Sequence, residues 1–237
     1  MKIRHIFAIF KKQILDSSQN FGIIFSFIVF PLTSLLFILL NSDNSQVYRI
    51  QIVMSMSTIF TGMTPFTAIN GIIREDKFSN VTRMLILSTV KPMEYLLGVT
   101  LYIMFVSAIV AVIFGCIGGI FGISLIWYSL TVLLGTSTSL VLGSMMTIQA
   151  REQSIATAVI SLTAMFNGIL PIFASSNPIF MKVARFWYTT QIKDLIGDVF
   201  DCYYGNIPFR LLIIGANLTV FLMLFCVLFK RNKIIGK

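Results

Sequence analysis

Charged side chains are scarce in this sequence. Only 11% of its 237 residues are Asp, Glu, Lys or Arg, against roughly 25% in an ordinary soluble domain. Histidine occurs once and cysteine three times, and their spacing fits neither a zinc site nor a disulfide framework. No segment matches the GxxxxGK(S/T) pattern of a P-loop, so the chain has no ATP site of that kind.

Hydrophobic residues take the place of the missing charges. They make up 57% of the chain, and the mean hydropathy is +0.89. A soluble fold of this length could not bury so much apolar surface. Six apolar runs contain no Asp, Glu, Lys, Arg or His, and each is close to the ~20 residues that cross a bilayer as a helix. These runs cover residues 21–40, 50–73, 95–120, 125–148, 154–174 and 211–229.

The sequence therefore predicts an all-α polytopic membrane protein with a single transmembrane domain over residues 1–237. Six spans place both termini on the same side of the membrane. Thirteen of the 18 basic residues then lie on that side, and the positive-inside rule makes it the cytoplasm. We expect a multi-pass protein of the cytoplasmic membrane with cytoplasmic termini. The five basic residues on the other side are Arg49, Lys182, Arg185, Lys193 and Arg210.

The first 20 residues are amphipathic. Ile3, Phe7 and Phe10 share one face of a helix, and basic side chains occupy the other. This pattern predicts a helix that lies in the inner membrane interface. The alternative is a basic flank that only orients the first span.

The loop over residues 175–209 is too long and too regular for a simple connection. Two apolar stripes predict two short amphipathic helices that dip into the outer leaflet. A solvated polar face is the favoured interpretation of the carboxylates on the second helix, and a cation site is the alternative. These carboxylates are Asp194, Asp198 and Asp201.

The loop between the second and third spans is the most charged stretch of the chain. Its apolar spacing predicts a short helix parallel to the membrane, which ends at Lys91-Pro92. The pattern fits a solvated connecting helix and a docking site for a cytoplasmic partner equally well. The residues that would meet a partner are Arg74, Glu75, Asp76, Lys77, Phe78, Val81, Arg83 and Leu85.

This loop resembles that of the permease subunits of ABC-2 type exporters, which have the type V exporter fold. The order of elements is similar as well: an interface helix, six spans, a coupling helix after the second span and re-entrant helices before the sixth. The chain departs from the family at Asn80-Val81, where Gly-Thr is common, and at Thr89, where proline is common. The motifs that match in order and spacing are Glu75-Asp76, Leu85-Ile86, Ser88-Thr89-Val90 and Leu96-Leu97-Gly98.

The resemblance implies that two permease subunits, identical or homologous, assemble with two separate ATPase subunits. The ATPase would dock on a coupling helix at about residues 74–87 and would hold the ATP and Mg²⁺. This chain alone would bind no cofactor and would catalyse no reaction. The resemblance implies that charged contacts with the ATPase are made by Glu75, Asp76, Lys77 and Arg83. It also implies that a groove of the ATPase receives Phe78, Val81 and Leu85.

The resemblance also implies that spans two and five line a translocation path. Hydroxyl and amide side chains on these spans are the candidates for its lining, although such groups often bond to their own helix backbone instead. An uncharged path suits an amphiphilic or hydrophobic cargo, such as an antimicrobial or toxin peptide, a lipopeptide or a drug. The alternatives are an exporter of a polysaccharide or lipid-linked glycan, an energy-independent channel and a membrane enzyme. The candidate path residues are Ser55, Thr58, Thr61, Asn70, Ser161 and Asn167.

Overall fold

The computed structural model describes residues 2–41, 45–78, 90–149, 153–176, 178–200 and 206–231. All secondary structure in these ranges is helical, which confirms the predicted all-α fold. The helices are α1 (Ile3–Gln19), α2 (Phe21–Leu40), α3 (Gln46–Phe78), α4 (Pro92–Ile117), α5 (Ile123–Gln149), α6 (Gln153–Ser176), α7 (Pro178–Ala184), α8 (Tyr188–Phe200) and α9 (Ile207–Arg231).

Six of these helices are long and apolar enough to cross a membrane, as the sequence predicted. They are α2, α3, α4, α5, α6 and α9. The third helix is longer than its apolar run, because residues 46–49 and 74–78 extend it at either end to 33 residues. Residues 74–78 therefore continue α3, whereas the sequence predicted that a separate helix begins at residue 74.

Helix α3 is the centre of the bundle. It contacts α2, α4, α5, α6 and α8, and its Phe60 and Phe66 are fully buried. At the crossing with α6, a Cβ atom on Gly62 would lie only 2.7 Å from the Cα atom of Gly168. Two glycines thus let the backbones of α3 and α6 touch, a common mode of packing for membrane helices.

The amphipathic helix α1 packs against α4 and α2. Ile9 is buried on the protein side, and Phe10 packs edge-to-face on Phe105 of α4 with ring centroids 5.8 Å apart. Ile3 and Phe7 are 70% and 60% exposed. The apolar face predicted from the sequence is therefore only partly covered by the protein: Phe10 contacts α4, whereas Ile3 and Phe7 are left exposed.

The loop before the last span forms α7 and α8, two helices as predicted. Helix α8 packs against α3, α5, α6 and α9 and buries most of its side chains. Helix α7 leaves Ile179, Phe180 and Val183 exposed. We call this end of the bundle the hairpin end, and we call the opposite end, where α1 meets the end of α3 and the start of α4, the charged end.

Candidate functional site

Helices α1, α3 and α4 meet at the charged end around one buried carboxylate, Asp76. Lys12 Nζ and Gln13 Nε2 of α1 donate hydrogen bonds to its two oxygens at 2.6 and 2.9 Å. The hydroxyl of Tyr95 in α4 donates at 2.6 Å. Asp76 is only 4% exposed, and a buried carboxylate is costly unless it is paired and hydrogen-bonded. These four residues, the Asp76 cluster, therefore fasten α1 and α4 to the end of α3.

The lysine of the cluster has a second partner. Lys12 Nζ lies 2.7 Å from a carboxylate oxygen of Asp16, one turn further along α1. Burial disfavours its ammonium form, but the hydrogen bonds and negative charges of Asp16 and Asp76 outweigh burial and raise the pKa of Lys12 above its usual 10.5. Lys12 is therefore charged near neutral pH, and its contact with Asp76 is a charge-assisted hydrogen bond.

A second carboxylate, Glu94, fixes the beginning of α1 to the beginning of α4. It accepts the backbone N–H of Lys2 at 2.8 Å and lies 2.8 Å from Nδ1 of His5. It also caps its own helix by accepting the backbone N–H of Lys91 at 3.3 Å. Because an ionised carboxylate only accepts hydrogen bonds, Nδ1 of His5 carries the proton in this contact.

The predicted docking residues on α3 point in two directions. Arg74, Glu75 and Lys77 are exposed, whereas Asp76 faces the interior. The expectation that Asp76 meets a partner is therefore corrected: its carboxylate holds the chain's own helices together. Phe78 is the last residue of α3. Three further predicted docking residues lie outside the described residues: Val81, Arg83 and Leu85.

The exposed docking residues also contact neighbouring segments of the chain. Arg74 Nη1 lies 3.4 Å from Oγ1 of Thr157 in α6. Glu75 accepts a hydrogen bond from the side-chain amide of Asn20, the residue between α1 and α2. The end of α3 is thus held on several sides and still presents one carboxylate and two basic side chains at its surface.

Three of the six residues predicted to line a translocation path are buried within the helix bundle. Thr58 and Thr61 are fully buried, and their hydroxyls donate to carbonyl oxygens of α3 at 2.6 and 2.8 Å. The side chain of Asn167, also fully buried, accepts the indole N–H of Trp187 at 2.8 Å. For these three residues the structure favours the alternative of internal hydrogen bonding. The other three are Ser55 and Asn70, which are half-buried, and Ser161, which is exposed.

A proline explains how α5 and α8 are joined to α3. Pro65 has no N–H, so the carbonyl of Thr61 four residues earlier has no intrahelical donor. The hydroxyl of Ser139 in α5 donates to that carbonyl at 2.5 Å, and it lies 2.9 Å from the hydroxyl of Tyr188 in α8. Burial raises the pKa of Tyr188, although its bond with Ser139 acts in the opposite direction. The phenol is therefore neutral and can donate to Ser139.

The hairpin end has its own charged contacts. Arg210, near the start of α9, lies 3.4 Å from a carboxylate oxygen of Asp194 and 3.1 Å from one of Asp198. The predicted solvated face is wrong for Asp198, which is only 8% exposed. Lys193 Nζ donates to the carbonyl of Pro171 at 3.2 Å, and burial lowers its pKa. These bonds join α8 to α9 and α6.

An apolar groove follows the outside of α6 and ends at α7. Its volume is about 690 Å³, and none of its lining residues is charged. Leu162, Phe166 and Phe173 of α6 and Phe180 of α7 are exposed along it. The groove thus offers a continuous apolar surface on the fifth of the six membrane-crossing helices.

Sequence reasoning missed most of the charged end. A carboxylate two residues after Pro92 and directly before a long apolar run is a recognisable capping signal, and it could have identified Glu94. No local pattern links Lys12 to Asp76, because 64 residues separate them. The residues missed are His5, Lys12, Gln13, Glu94 and Tyr95.

Comparison with known proteins does not assign this chain to a family. No family model matches the sequence, and no curated protein matches it either.

Proposed function

We propose that this chain is the membrane-spanning permease subunit of an ATP-driven exporter of the ABC-2 type. The observation that carries the proposal is the Asp76 cluster, which joins α1 and α4 to the end of α3. A partner that pushed on this end would move three helices as one body. Such a junction suits a subunit that receives mechanical work from elsewhere.

Helix α3 is suited to carry that movement across the membrane. Its 33 residues span about 50 Å at 1.5 Å per residue. It contacts α2, α4, α5, α6 and, near the hairpin end, α8. A displacement at residues 74–78 would therefore reach both the bundle interior and the helices that we assign to the outer, re-entrant hairpin.

The exposed surface at the end of α3 supports docking of a separate ATPase. Arg74, Glu75 and Lys77 present both signs of charge next to one another, and complementary charges favour correct orientation of a partner. The ATPase subunit would hold the ATP and Mg²⁺. Transport ATPase activity would accordingly appear only in the complex.

The exposed side of α1 supports a place in the inner membrane interface. Ile3 and Phe7 are uncovered by the protein, and Arg4 and Lys11 are exposed beside them. Apolar side chains at the acyl boundary and basic side chains at anionic headgroups would anchor such a helix. The Asp76 cluster would then stand at the cytoplasmic membrane surface.

The apolar groove on α6 supports assembly with a second permease subunit, identical or homologous. Membrane helices associate through close packing of complementary apolar surfaces, and the groove offers about 690 Å³ for side chains of another helix. We propose an amphiphilic or hydrophobic cargo, such as a peptide, lipopeptide or drug. An uncharged lining of the interface between two such subunits suits a cargo of this kind.

The proposal predicts that an ABC-type ATPase is encoded beside this chain, and the test uses that ATPase. We expect the two proteins to co-purify from membranes, and we expect cargo movement in proteoliposomes to require ATP. Glu75→Lys should weaken the complex at least several-fold, because it reverses one charge of the docking surface. Lys11→Glu is the matched control, an equal reversal on the exposed side of α1.

Two outcomes would contradict this proposal. Cargo that crosses proteoliposomes at the same rate without nucleotide would make the protein a channel. Equal loss of ATPase binding in Glu75→Lys and Lys11→Glu would show that the ATPase does not dock specifically on the end of α3. Asp76→Asn provides a separate readout, since it should loosen the bundle itself and lower the thermal midpoint of the purified chain.

A further inference from the structure

A pocket of about 390 Å³ opens between the start of α2 and the last turns of α3, at the charged end. This volume is within the roughly 300–1,000 Å³ of typical small-molecule sites. Arg74 and Glu75 line it together with Thr67 and Gly71 of α3 and with Gly22 and Ser26 of α2. The pocket lies between two membrane-crossing helices and carries one charge of each sign.

Polarity changes with depth in this pocket. Arg74 and Glu75 are the first charged residues after the apolar run of α3, so they mark the membrane boundary. Thr67 lies seven residues before Arg74, which is about 10 Å along the helix. Ser26 and Thr67 are the deepest lining residues, and their hydroxyls donate to carbonyl oxygens of their own helices. Ile23 and Ala68 add apolar wall nearer the charged end. A ligand with a charged head and an apolar tail matches this gradient.

Glycines create the space. A Cβ atom built on Gly71 meets nothing within 4 Å, and one built on Gly22 meets only the Asn20 side chain at 3.4 Å. Larger side chains at these positions would project into the pocket without displacing either helix backbone. The pocket thus owes its volume to small residues on both walls.

The two charges select the headgroup. A guanidinium matches the geometry of a phosphate, and a carboxylate pairs with an ammonium group. Both side chains line the pocket, so they can hold the phosphate and the ammonium of one ligand in which two carbon atoms separate these groups. An anionic headgroup would meet repulsion from Glu75, and a quaternary choline has no N–H to donate to it.

One face of α2 continues from the pocket toward the hairpin end. Leu36 and Leu40 follow Gly22 and Ser26 by 14 residues each, close to four helical turns, so they share that face. Both leucines are exposed. This row of about 21 Å is comparable in length to an acyl chain and would support the tail of a lipid.

We propose that this pocket binds a phospholipid with an aminoethyl phosphate headgroup, phosphatidylethanolamine. Its phosphate contacts Arg74, its ammonium contacts Glu75, and an acyl chain follows α2 past Leu36. The inference requires that the six helices span a membrane. It does not depend on an ATPase partner, so it can fail or succeed independently of the export proposal.

The experiment uses the full chain, purified in detergent without any ATPase and incubated with equal amounts of phosphatidylethanolamine, phosphatidylcholine and phosphatidylglycerol of identical acyl chains. Native mass spectrometry counts the retained lipids. We expect phosphatidylethanolamine to be retained at least several-fold over the other two. Glu75→Gln should abolish its preference over phosphatidylcholine, and Gly71→Leu should reduce retention of all three lipids.

Lys77→Gln is the matched control: it removes a charge from the exposed end of α3 outside the pocket lining, and should leave lipid retention unchanged. Equal retention of the three lipids by the wild-type chain, or a preference that persists in Gly71→Leu, would overturn the assignment. So would displacement of the lipid by an equal concentration of glycerophosphoethanolamine, because the site would then recognise a soluble headgroup. Thermal melting confirms that Gly71→Leu is folded, as the open space at Gly71 predicts.

Discussion

Pro65 and Ser139 form a pair whose energetic link can be measured. Ser139 supplies the donor that proline denies to the Thr61 carbonyl, and it also bonds Tyr188. Ser139→Ala would leave a buried carbonyl and a buried phenol without this partner. We expect it to cost about 1–3 kcal/mol of unfolding free energy. Denaturant or thermal unfolding of the purified protein measures this loss.

The same change should cost less in a Pro65→Ala background. Alanine restores an N–H that can bond the Thr61 carbonyl within α3, so Ser139 has one fewer group to satisfy. Ser144→Ala is the control, since that hydroxyl donates to the carbonyl of Val141 in its own helix. If Ser139→Ala lowers the unfolding free energy equally in both backgrounds, the hydroxyl does not compensate for the N–H that Pro65 lacks.

Local chemistry at single residues was predictable, and long-range pairing was not. From the sequence, the alternative for hydroxyl side chains is hydrogen bonding to the helix's own backbone, and Thr58 and Thr61 bond in this way. It does not reveal that Ser139 reaches a helix 78 residues away. The resemblance predicts that Asp76 contacts a partner. Its burial follows from Lys12 and Tyr95, whose proximity only the fold creates.

The close packing of α1 against α4 depends on Gly98. A Cβ atom on Gly98 would lie 2.7 Å from the Cβ of Ile9 and 3.0 Å from the carbonyl oxygen of Ile6. Gly98→Val should therefore push α1 away from α4. Ser17→Cys, at a position that is only 3% exposed, reports the movement: its maleimide labelling should accelerate several-fold in the Gly98→Val chain.

The labelling experiment uses a background in which the native cysteines Cys116, Cys202 and Cys226 are replaced by alanine. Gly215→Val in α9 is the matched control, because a Cβ there meets nothing within 4 Å and the change in helix propensity is the same. Equal labelling rates in the two valine variants would mean that contact at Gly98 does not hold α1 in place.

Helix identity was easier to predict than helix ends and helix partners. Six apolar runs correspond to six membrane-crossing helices, because the length of a span follows directly from bilayer thickness. The continuation of α3 to Phe78 was missed, since charges at residues 74–77 suggested a new element. Those charges are accommodated because one of them, Asp76, finds partners on α1 and α4.

Charge distribution organises the whole molecule. Within the part of the chain that the structure describes, ionised side chains gather at the two ends of the bundle: Asp76 and Glu94 fasten the charged end, and Arg210 joins α8 to α9 at the hairpin end. The middle is held by aromatic packing and by close backbone contact at Gly62 and Gly168. Because no ion pair lies in the described middle of the bundle, α1, α3 and α4 could shift together along α5 and α6 without breaking a charged contact there.

The same distribution fixes the expected orientation. The charged end belongs to the side that carries 13 of the 18 basic residues, and basic residues are retained in the cytoplasm. Lys77 at the charged end and Lys182 at the hairpin end are both exposed. In the cysteine-free background, a membrane-impermeant maleimide should label Lys182→Cys but not Lys77→Cys in intact cells, and it should label both after permeabilisation. The reverse pattern would place Arg74 and Glu75 outside the cell, where no ATP-driven partner could reach them, and would overturn the proposed direction of coupling.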